Sequence, residues 1–307
     1  MSAQTFAAVS YPCRLHSGDN ALEHLPREVA RAKSKRVFIL CGRSVATRTP
    51  LIARIRSLLG ETCAGAYESI RKDAPLEDVQ AAVNAARACG SDMLVAVGAG
   101  SVLKAARIVA ILLAETRPIE QLITQYPPSG RAISPRLMAP KLPIINVLTA
   151  ATTAQNRAGA ALKEGASGQR MEFFDPKTRP CAIFWDAEAL LTAPASLALN
   201  TGAAIYWRAL MNMGLAASAN PLIQGERHQA FRLANNAVGR VHDPRDAAPR
   251  IDLCAAAYLQ NREEDEGRRF GDTHWVARVV YALGASTFHL HEHVGQGEAY
   301  EIGRAHV

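Results

Sequence analysis

A glycine turn between a buried strand and an apolar helix restricts the fold of this chain more than any other feature. The run from Asp92 to Val97 is apolar enough for a buried strand, and Gly-Ala-Gly-Ser at 98–101 separates it from a helical segment at 102–114. Small residues at such a turn let the N–H groups at the start of the helix approach a phosphate-bearing ligand. A tight turn without a ligand has the same sequence, so the turn alone leaves both interpretations open.

Strands and helices alternate on both sides of this turn. Further strands are predicted at 36–41 and 143–148, and amphipathic helices at 49–59 and 76–89. Such alternation is typical of a parallel, doubly wound sheet covered by helices. From about residue 186 onwards Ala, Leu and Met recur at helical spacing, and strand-like runs become rare. The sequence therefore predicts an α/β domain over residues 1–188 and an all-helical domain over residues 189–307.

Several segments of the chain carry a resemblance to a known family, and they occur in the family's order. They are 60–75, 91–103, 142–153, 160–163, 177–180, 184–194 and 200–202. Residues 91–103 are similar to the family's strand followed by GGGS, and residues 142–153 are similar to its PTTAGTGSE loop. The chain thus resembles the group III, or iron-containing, alcohol dehydrogenase superfamily, and it is nearest to the maleylacetate-reductase-like branch. The resemblance implies the fold shared with dehydroquinate synthase, a Rossmann-like domain followed by a helical domain.

The resemblance also identifies the positions at which the family holds a divalent metal with one Asp and three His. In this chain Ala204 and Arg208 stand at the first two positions, Tyr281 at the third and Gln296 at the last. Iron and zinc prefer imidazole and carboxylate ligands, and a permanently charged guanidinium repels a cation. Ala285 stands where the family often has an acid–base histidine. The resemblance therefore implies a family scaffold that binds no metal at this site.

The positions that the family uses for a nicotinamide cofactor are retained in part. In the segment that resembles GGGSxxDxxK, Lys104 replaces Asp and Arg107 replaces Lys, and added positive charge near a helix start favours phosphate. Arg43 follows the first predicted strand and would suit the 2′-phosphate of NADP, although a simple surface arginine is the slightly favoured interpretation. Both NAD and NADP therefore stay open. The predicted cofactor contacts are Gly98, Ala99, Gly100, Ser101, Thr149, Thr153 and Arg43.

Two charged segments near the C-terminal end allow more than one interpretation. His289, His291 and His293 alternate, so on a strand they would share one face and bind a metal; the alternative is a polar loop with titrating histidines. Their spacing is not that of a common structural zinc site, and we expect the loop. The acidic run 263–266 is predicted to be a solvated helix face or loop.

Composition excludes some classes of partner. The chain has 35 basic and 28 acidic residues, but the basic residues are scattered and aromatic residues are only 6%, so a nucleic-acid surface is not expected. No apolar run reaches the roughly 18 residues that a membrane-spanning helix needs, and the N-terminus does not resemble a signal peptide. The six scattered cysteines are typical of reduced thiols in a cytoplasmic protein.

Three functions are compatible with these patterns. We expect a metal-independent, NAD(P)H-dependent reductase of a small carbonyl or enone acid, a homodimer in which Arg208 binds a carboxylate and Tyr281 donates a proton. The second hypothesis is a non-redox homologue that acts as a binding or regulatory subunit. It is favoured by the lost ligands and by a chain that stops several helices earlier than the family does. The third, a lyase or cyclase like dehydroquinate synthase, is disfavoured because that branch needs a metal.

Overall fold

The computed structural model describes residues 5–128, 130, 132–164, 170–268, 275–291, 293–294 and 297–299. The chain divides into two compact units. The α/β unit comprises Cys13–Thr149 and Ala154–Thr192, and the helical unit comprises Met1–Pro12, Ala150–Thr153 and Ala193–Val307. The helical unit thus begins at Ala193, later than the predicted start at residue 189, and it includes two short segments that the sequence assigned to the α/β domain.

A six-stranded parallel sheet forms the centre of the α/β unit. Its order is β1-β8-β5-β4-β2-β3, and every neighbouring pair is parallel. The strands are β1 (Arg14–Gly18), β2 (Val37–Cys41), β3 (Cys63–Tyr67), β4 (Met93–Gly98), β5 (Ile144–Leu148) and β8 (Ala182–Asp186). A separate antiparallel hairpin is formed by β6 (Gly159–Lys163) and β7 (Arg170–Phe174). The predicted parallel, doubly wound sheet is confirmed.

Helices cover this sheet because its central strands are apolar on both faces. Every residue of β2, β4 and β5 is buried, the pattern of a parallel sheet covered on both sides. The helices of the unit are α1 (Leu25–Arg31), α2 (Arg43–Arg48), α3 (Leu51–Leu59), α4 (Leu76–Ala88), α5 (Gly100–Ala114) and α6 (Ala187–Leu191). In α3, Leu51, Ile52, Ile55 and Leu59 recur at helical spacing, and all four join the core around the sheet.

The helical unit is built on the close packing of α8 (Pro221–Val238) against α9 (Ala248–Arg262), with α7 (Ala195–Met213) on both. Small residues allow the helices to approach. A side chain at Gly202 of α7 would lie 2.9 Å from Leu253 of α9. The side chain of Asn220 caps α8 by accepting the N–H groups of Leu222 and Ile223. A further helix, α10 (Trp275–Leu290), packs on α7.

The prediction that the acidic run 263–266 is solvated is wrong for two of its residues. Glu263 and Glu266 are buried, because cations on the neighbouring helices neutralise them. Arg227 of α8 lies 3.1 Å from Glu263, and Arg262 at the end of α9 lies 2.7 Å from Glu266. Within the described ranges, no helix is both long and apolar enough to cross a membrane.

Candidate functional site

The strand order of the α/β unit defines where a ligand is expected. From β2 the chain moves to β3 at one edge, then returns past β2 to β4 and continues in the opposite direction to β5. In open α/β sheets, ligands bind outside the carboxyl ends of the strands at such a reversal. Cys41 at the end of β2 is in register with Val97 of β4, so Gly42 and Gly98 follow side by side. The candidate site therefore lies at the carboxyl ends of β2 and β4.

The start of α5 provides the N–H groups of this site. Ala99 is its N-cap, and Gly100 and Ser101 form its first turn, where N–H groups have no partner within the helix and the helix dipole favours anions. An added side chain at Gly98 would place Cβ 2.8 Å from Cγ2 of Val102, so only glycine fits there. The N–H of Thr149, directly after β5, donates to the carbonyl of Gly98 at 3.2 Å. The structure thus brings the glycine turn at 98–101 and Thr149 together.

The segment before α4 packs against this helix start in a strained conformation. Asp73 and Ala74 have φ angles of 62° and 53°, left-handed values that for Ala cost about 1–2 kcal/mol. The N–H of Asp73 donates to Oγ of Ser101 at 3.0 Å. The carboxylate of Asp78 fixes the segment from the other side, because it accepts both the N–H and the guanidinium of Arg71. These contacts place the carboxylate of Asp73 near the first turn of α5.

Lys104 adds a cation to the same place. It follows Ser101 by three residues on α5, and its Nζ lies 4.0 Å from Oδ1 of Asp73. Burial lowers the pKa of Lys104, and Asp73 opposes that shift. The sequence shows that Lys104 replaces the aspartate of the family's GGGSxxDxxK segment. It does not show that Lys104 pairs with Asp73. That pairing depends on the path of the chain between β3 and α4, for which the sequence contains no signal.

Arg107, one turn further along α5, fixes the loop that follows β5. Its guanidinium is buried, and Nη1 donates to the carbonyls of Ala154 and Arg157, both at 2.8 Å. Asn146 donates to the carbonyl of Gln155 at 2.8 Å, which holds the same loop against the sheet. Reasoning from sequence missed this function of Arg107, because the acceptors are backbone carbonyls about 50 residues away.

The other two predicted cofactor contacts lie elsewhere. Arg43 is the first residue of α2 and is exposed, directly after Gly42 at the end of β2. This is the position expected for a residue that contacts the adenosine ribose or its phosphate. Thr153 belongs to the helical unit, where its carbonyl accepts the Nδ2 of Asn261 at 2.8 Å. Thr153 and residues 98–101 thus belong to different compact units.

In the helical unit, the first two positions that the resemblance assigns to metal ligands carry Ala204 and Arg208, and these side chains do not fit a divalent cation. Ala204 is buried in an apolar cluster with Trp207 of α7 and with Ala277 and Val280 of α10. Four residues after Ala204, Arg208 donates to Oδ1 of Asn261 at 3.1 Å and to the carbonyl of Gln260 at 2.8 Å. These side chains offer a methyl group and a cation, neither of which is a metal ligand.

The remaining ligand positions and the alternating histidines are described only in part. Tyr281 of α10 is 54% exposed, and Gln296 lies outside the described residues. His291 and His293 are exposed with ring centroids 5.9 Å apart, while the side chain of His289 is not described. In the part of the chain that the structure covers, no group of three or more His, Cys, Asp or Glu could hold a metal.

Comparison with known proteins identifies the family. The family "iron-containing alcohol dehydrogenase" matches residues 12–187, more than half of the chain. The chain belongs to the iron-containing alcohol dehydrogenase family. Maleylacetate reductase 2 from Cupriavidus pinatubonensis is 26% identical over 255 residues, which are 83% of this chain and 62% of that relative. The chain therefore spans less than two thirds of the length of this curated relative.

Solved structures agree on the fold of this family member. Maleylacetate reductase from Agrobacterium tumefaciens is 18% identical and superimposes with a TM-score of 0.75, covering 97% of this chain and 73% of the other. Sulfoacetaldehyde reductase from Bifidobacterium kashiwanohense, solved in complex with NAD+, is 14% identical with a TM-score of 0.78, covering 97% and 74%. At these identities the likeness shows the fold, which is the fold that the resemblance implied.

Proposed function

We propose that this protein is an NAD(P)-dependent oxidoreductase of the iron-containing alcohol dehydrogenase type, related in activity to maleylacetate reductases. The observation that carries the proposal is the helix start at 98–101, placed at the reversal of strand order between β2 and β4 with Thr149 beside it. A nicotinamide dinucleotide supplies the hydride when it is bound. Membership of the family and the NAD+ complex of a structural relative support the same cofactor class.

The groups at the carboxyl edge of the sheet fit the phosphates of such a cofactor. The free N–H groups of the first turn of α5 would donate to the pyrophosphate, and the ammonium of Lys104 would add charge. Arg43 would bind the 2′-phosphate of NADP and so favours that cofactor. NAD has only a ribose hydroxyl at this position, and Arg43 would then remain in solvent. Binding is therefore to be measured with both NADH and NADPH.

We further propose that reduction proceeds without a metal and acts on a small carbonyl or enone acid. Arg208 would bind the carboxylate of the substrate, since Asn261 and the carbonyl of Gln260 hold its guanidinium in a fixed direction. Tyr281 would donate the proton that the carbonyl oxygen needs as hydride reaches its carbon. The alternative is a non-redox binding or regulatory subunit. It is favoured because the hydrogen bonds of Arg208 link α7 to α9 and so give Arg208 a structural function.

Calorimetry with NADH and NADPH tests the cofactor, and a reductase assay with maleylacetate tests the reaction. We expect binding of at least one dinucleotide, and turnover that a chelator leaves unchanged. Arg208→Ala should raise KM for an acid substrate, and Tyr281→Phe should lower kcat. Binding without turnover would favour the regulatory subunit. Absence of binding at millimolar cofactor would contradict the proposed function.

The proposal includes a homodimer that acts on small molecules, in a reducing compartment such as the cytoplasm. All six cysteines are free thiols, which agrees with such a compartment. Light scattering coupled to size-exclusion chromatography measures the assembly. A mass near 33.0 kDa would show a monomer and contradict this part of the proposal.

A further inference from the structure

Two glutamates of the helical unit meet at one arginine where α8 packs against the end of α9. Glu226 belongs to α8, and Glu266 lies in the turn 263–267 that follows α9. Nη1 of Arg262 lies 3.0 Å from Oε1 of Glu226, and its Nη2 lies 2.7 Å from Oε1 of Glu266. The two glutamate side chains are only 11% and 5% exposed. Two nearly buried carboxyl groups therefore share a single guanidinium.

The second oxygen of each carboxyl group has no donor. Oε2 of Glu226 and Oε2 of Glu266 are both buried, and neither has a hydrogen-bond partner among the described residues. Leaving such oxygens unpaired inside a protein is costly. The two carboxyl groups are close enough to form a hydrogen bond with each other. A single proton turns one of these oxygens into a donor and so satisfies both. We call Glu226 and Glu266 the glutamate pair.

The surroundings of the glutamate pair determine when it holds this proton. The charged groups nearest to Glu226 along α8, α9 and the turn are Arg227, Arg262, Glu263, Glu264, Asp265 and Glu266. Burial, followed by repulsion from Glu266, raises the pKa of Glu226 to about 7, although Arg262 opposes the shift. Residues 5–12 contain no charged side chain, and Tyr11 is their only titratable one. The proton is therefore held below about pH 7 and lost above it.

The turn 263–267 also carries the N-terminal segment of the chain, residues 5–12, which belongs to the helical unit. The carbonyl of Asp265 accepts the N–H of Val9 at 2.7 Å. Gly267 has a φ angle of 80°, and an added Cβ there would lie 2.6 Å from the carbonyl oxygen of Ala7. Residues 7 and 9 thus lie directly on the backbone of this turn, and a displacement of the turn breaks their contacts.

We propose that the glutamate pair is a proton-operated latch, which keeps the N-terminal segment on the helical unit at acidic pH and releases it at alkaline pH. Glu266 connects the two parts, because its side chain belongs to the pair and its backbone follows Asp265. Its carbonyl also accepts Nδ2 of Asn220, the N-cap of α8, at 2.7 Å. When the proton leaves, two buried carboxylates repel each other, and the turn moves away from α8. The inference does not depend on the proposed function.

Hydrogen exchange of the full-length protein, followed by mass spectrometry at pH 6 and pH 8, tests the latch. The rates are corrected for the intrinsic pH dependence of amide exchange. From pH 6 to pH 8, we expect the protection of the peptide that contains Val9 to fall by about tenfold or more in the wild type. Peptides of α9 should lose much less protection. Glu226→Gln has a donor beside Glu266 at every pH, so its N-terminal peptide should be equally protected at both values.

Glu264→Gln is the matched control, because Glu264 lies in the same turn but 42% of its side chain is exposed. It should show the pH response of the wild type. A wild-type N-terminal peptide with equal protection at both pH values contradicts the latch, and so does an equal fall in Glu226→Gln. An equal loss of protection in α9 would mean that the helical unit loosens as a whole, which also contradicts it. If Glu226→Gln does not fold, Glu266→Gln replaces it with the same expected result.

Discussion

Two buried arginines, one in each unit, have different partners. In the helical unit, Arg227 of α8 lies 3.1 Å from the carboxylate of Glu263. In the α/β unit, Arg107 of α5 donates to the backbone carbonyls of Ala154 and Arg157, and no carboxylate pairs with it among the described residues. Arg227 therefore forms a buried ion pair that depends on both charges, whereas Arg107 holds a loop through backbone acceptors.

The two units also differ at the positions that the family resemblance assigns to ligands. In the helical unit, Ala204 stands at a position assigned to a metal ligand and lies in an apolar cluster with Trp207 of α7 and with residues of α10. In the α/β unit, the positions assigned to the cofactor form a glycine turn, at which Gly98 leaves no room for a side chain beside Val102. The first turn of α5 that follows has N–H groups that the helix cannot use.

The largest expected effect tests whether the buried pair of Arg227 and Glu263 stabilises the helical unit. Arg227→Ala leaves Glu263 buried and unpaired, so the free energy of unfolding should fall by about 3–5 kcal/mol. Chemical denaturation measures this loss. The control is Arg240→Ala. Arg240 is exposed and its partner Asp246 is half-exposed, so this variant should lose much less stability than Arg227→Ala. Equal losses in the two variants would remove the distinction between buried and exposed pairs.

A second effect concerns the carboxylates beside this pair. Burial, with Glu266 close by, raises the pKa of Glu226 from its ordinary 4.5 to about 7. Arg262 contacts one oxygen of each carboxylate, and the other oxygens, Oε2 of Glu226 and of Glu266, are buried with no hydrogen-bond donor among the described residues. A proton shared by these two groups removes the repulsion between them.

Because the folded-state pKa is raised, the stability from this proton is complete below about pH 4.5 and is lost as pH rises through about 7. The difference corresponds to about 3 kcal/mol at most. Urea denaturation of the wild type at pH 5 and pH 8, compared with Glu226→Gln, measures it. Glu226→Gln should be less dependent on pH over this range. The same pH dependence in both proteins would show that another group is responsible.

A third prediction tests the open helix start of the α/β unit. Gly98→Ala places Cβ 2.8 Å from Val102, so α5 must shift, with a loss of about 1–3 kcal/mol and at least tenfold weaker dinucleotide binding. Gly225→Ala in α8 is the matched control, because nothing lies within 4 Å of the added Cβ. It should gain about 0.5–1 kcal/mol, since alanine favours a helix interior. Unchanged dinucleotide binding in Gly98→Ala would show that the glycine turn does not contribute to cofactor binding.

The sequence predicts the elements that depend on a local pattern, and it does not predict those that depend on a distant partner. Apolar periodicity and the glycine turn predicted β2, β4, β5 and α5 to within about two residues, because burial and helical spacing are properties of local sequence. The polar, half-exposed β1 and the hairpin of β6 and β7 carry no such pattern, since each depends on its partner strand.

The candidate site divides in the same way. Residues 98–101 are adjacent in sequence, and their function follows from the turn. The contacts of Asp73 with Ser101, and of Arg107 with residues 154 and 157, join positions 28 to 50 residues apart. The burial of Glu263 likewise depends on Arg227, 36 residues away, so a run of acids that seemed suited to solvent is part of the core. Long-range pairing of this kind is not encoded in local composition.

The smallest expected effect tests how far the ligand site extends along the sheet edge. Arg43 is exposed at the start of α2, one strand away from the glycine turn, and it would contact only the 2′-phosphate of NADP. Arg43→Ser should weaken NADPH binding by up to about tenfold, or about 1.4 kcal/mol, and leave NADH binding unchanged. Arg48→Ser, at the other end of the same helix, should change neither. Equal weakening of NADH and NADPH binding by Arg43→Ser would instead mean that Arg43 contributes only a general positive potential, and that this edge of the α/β unit distinguishes anions by charge alone.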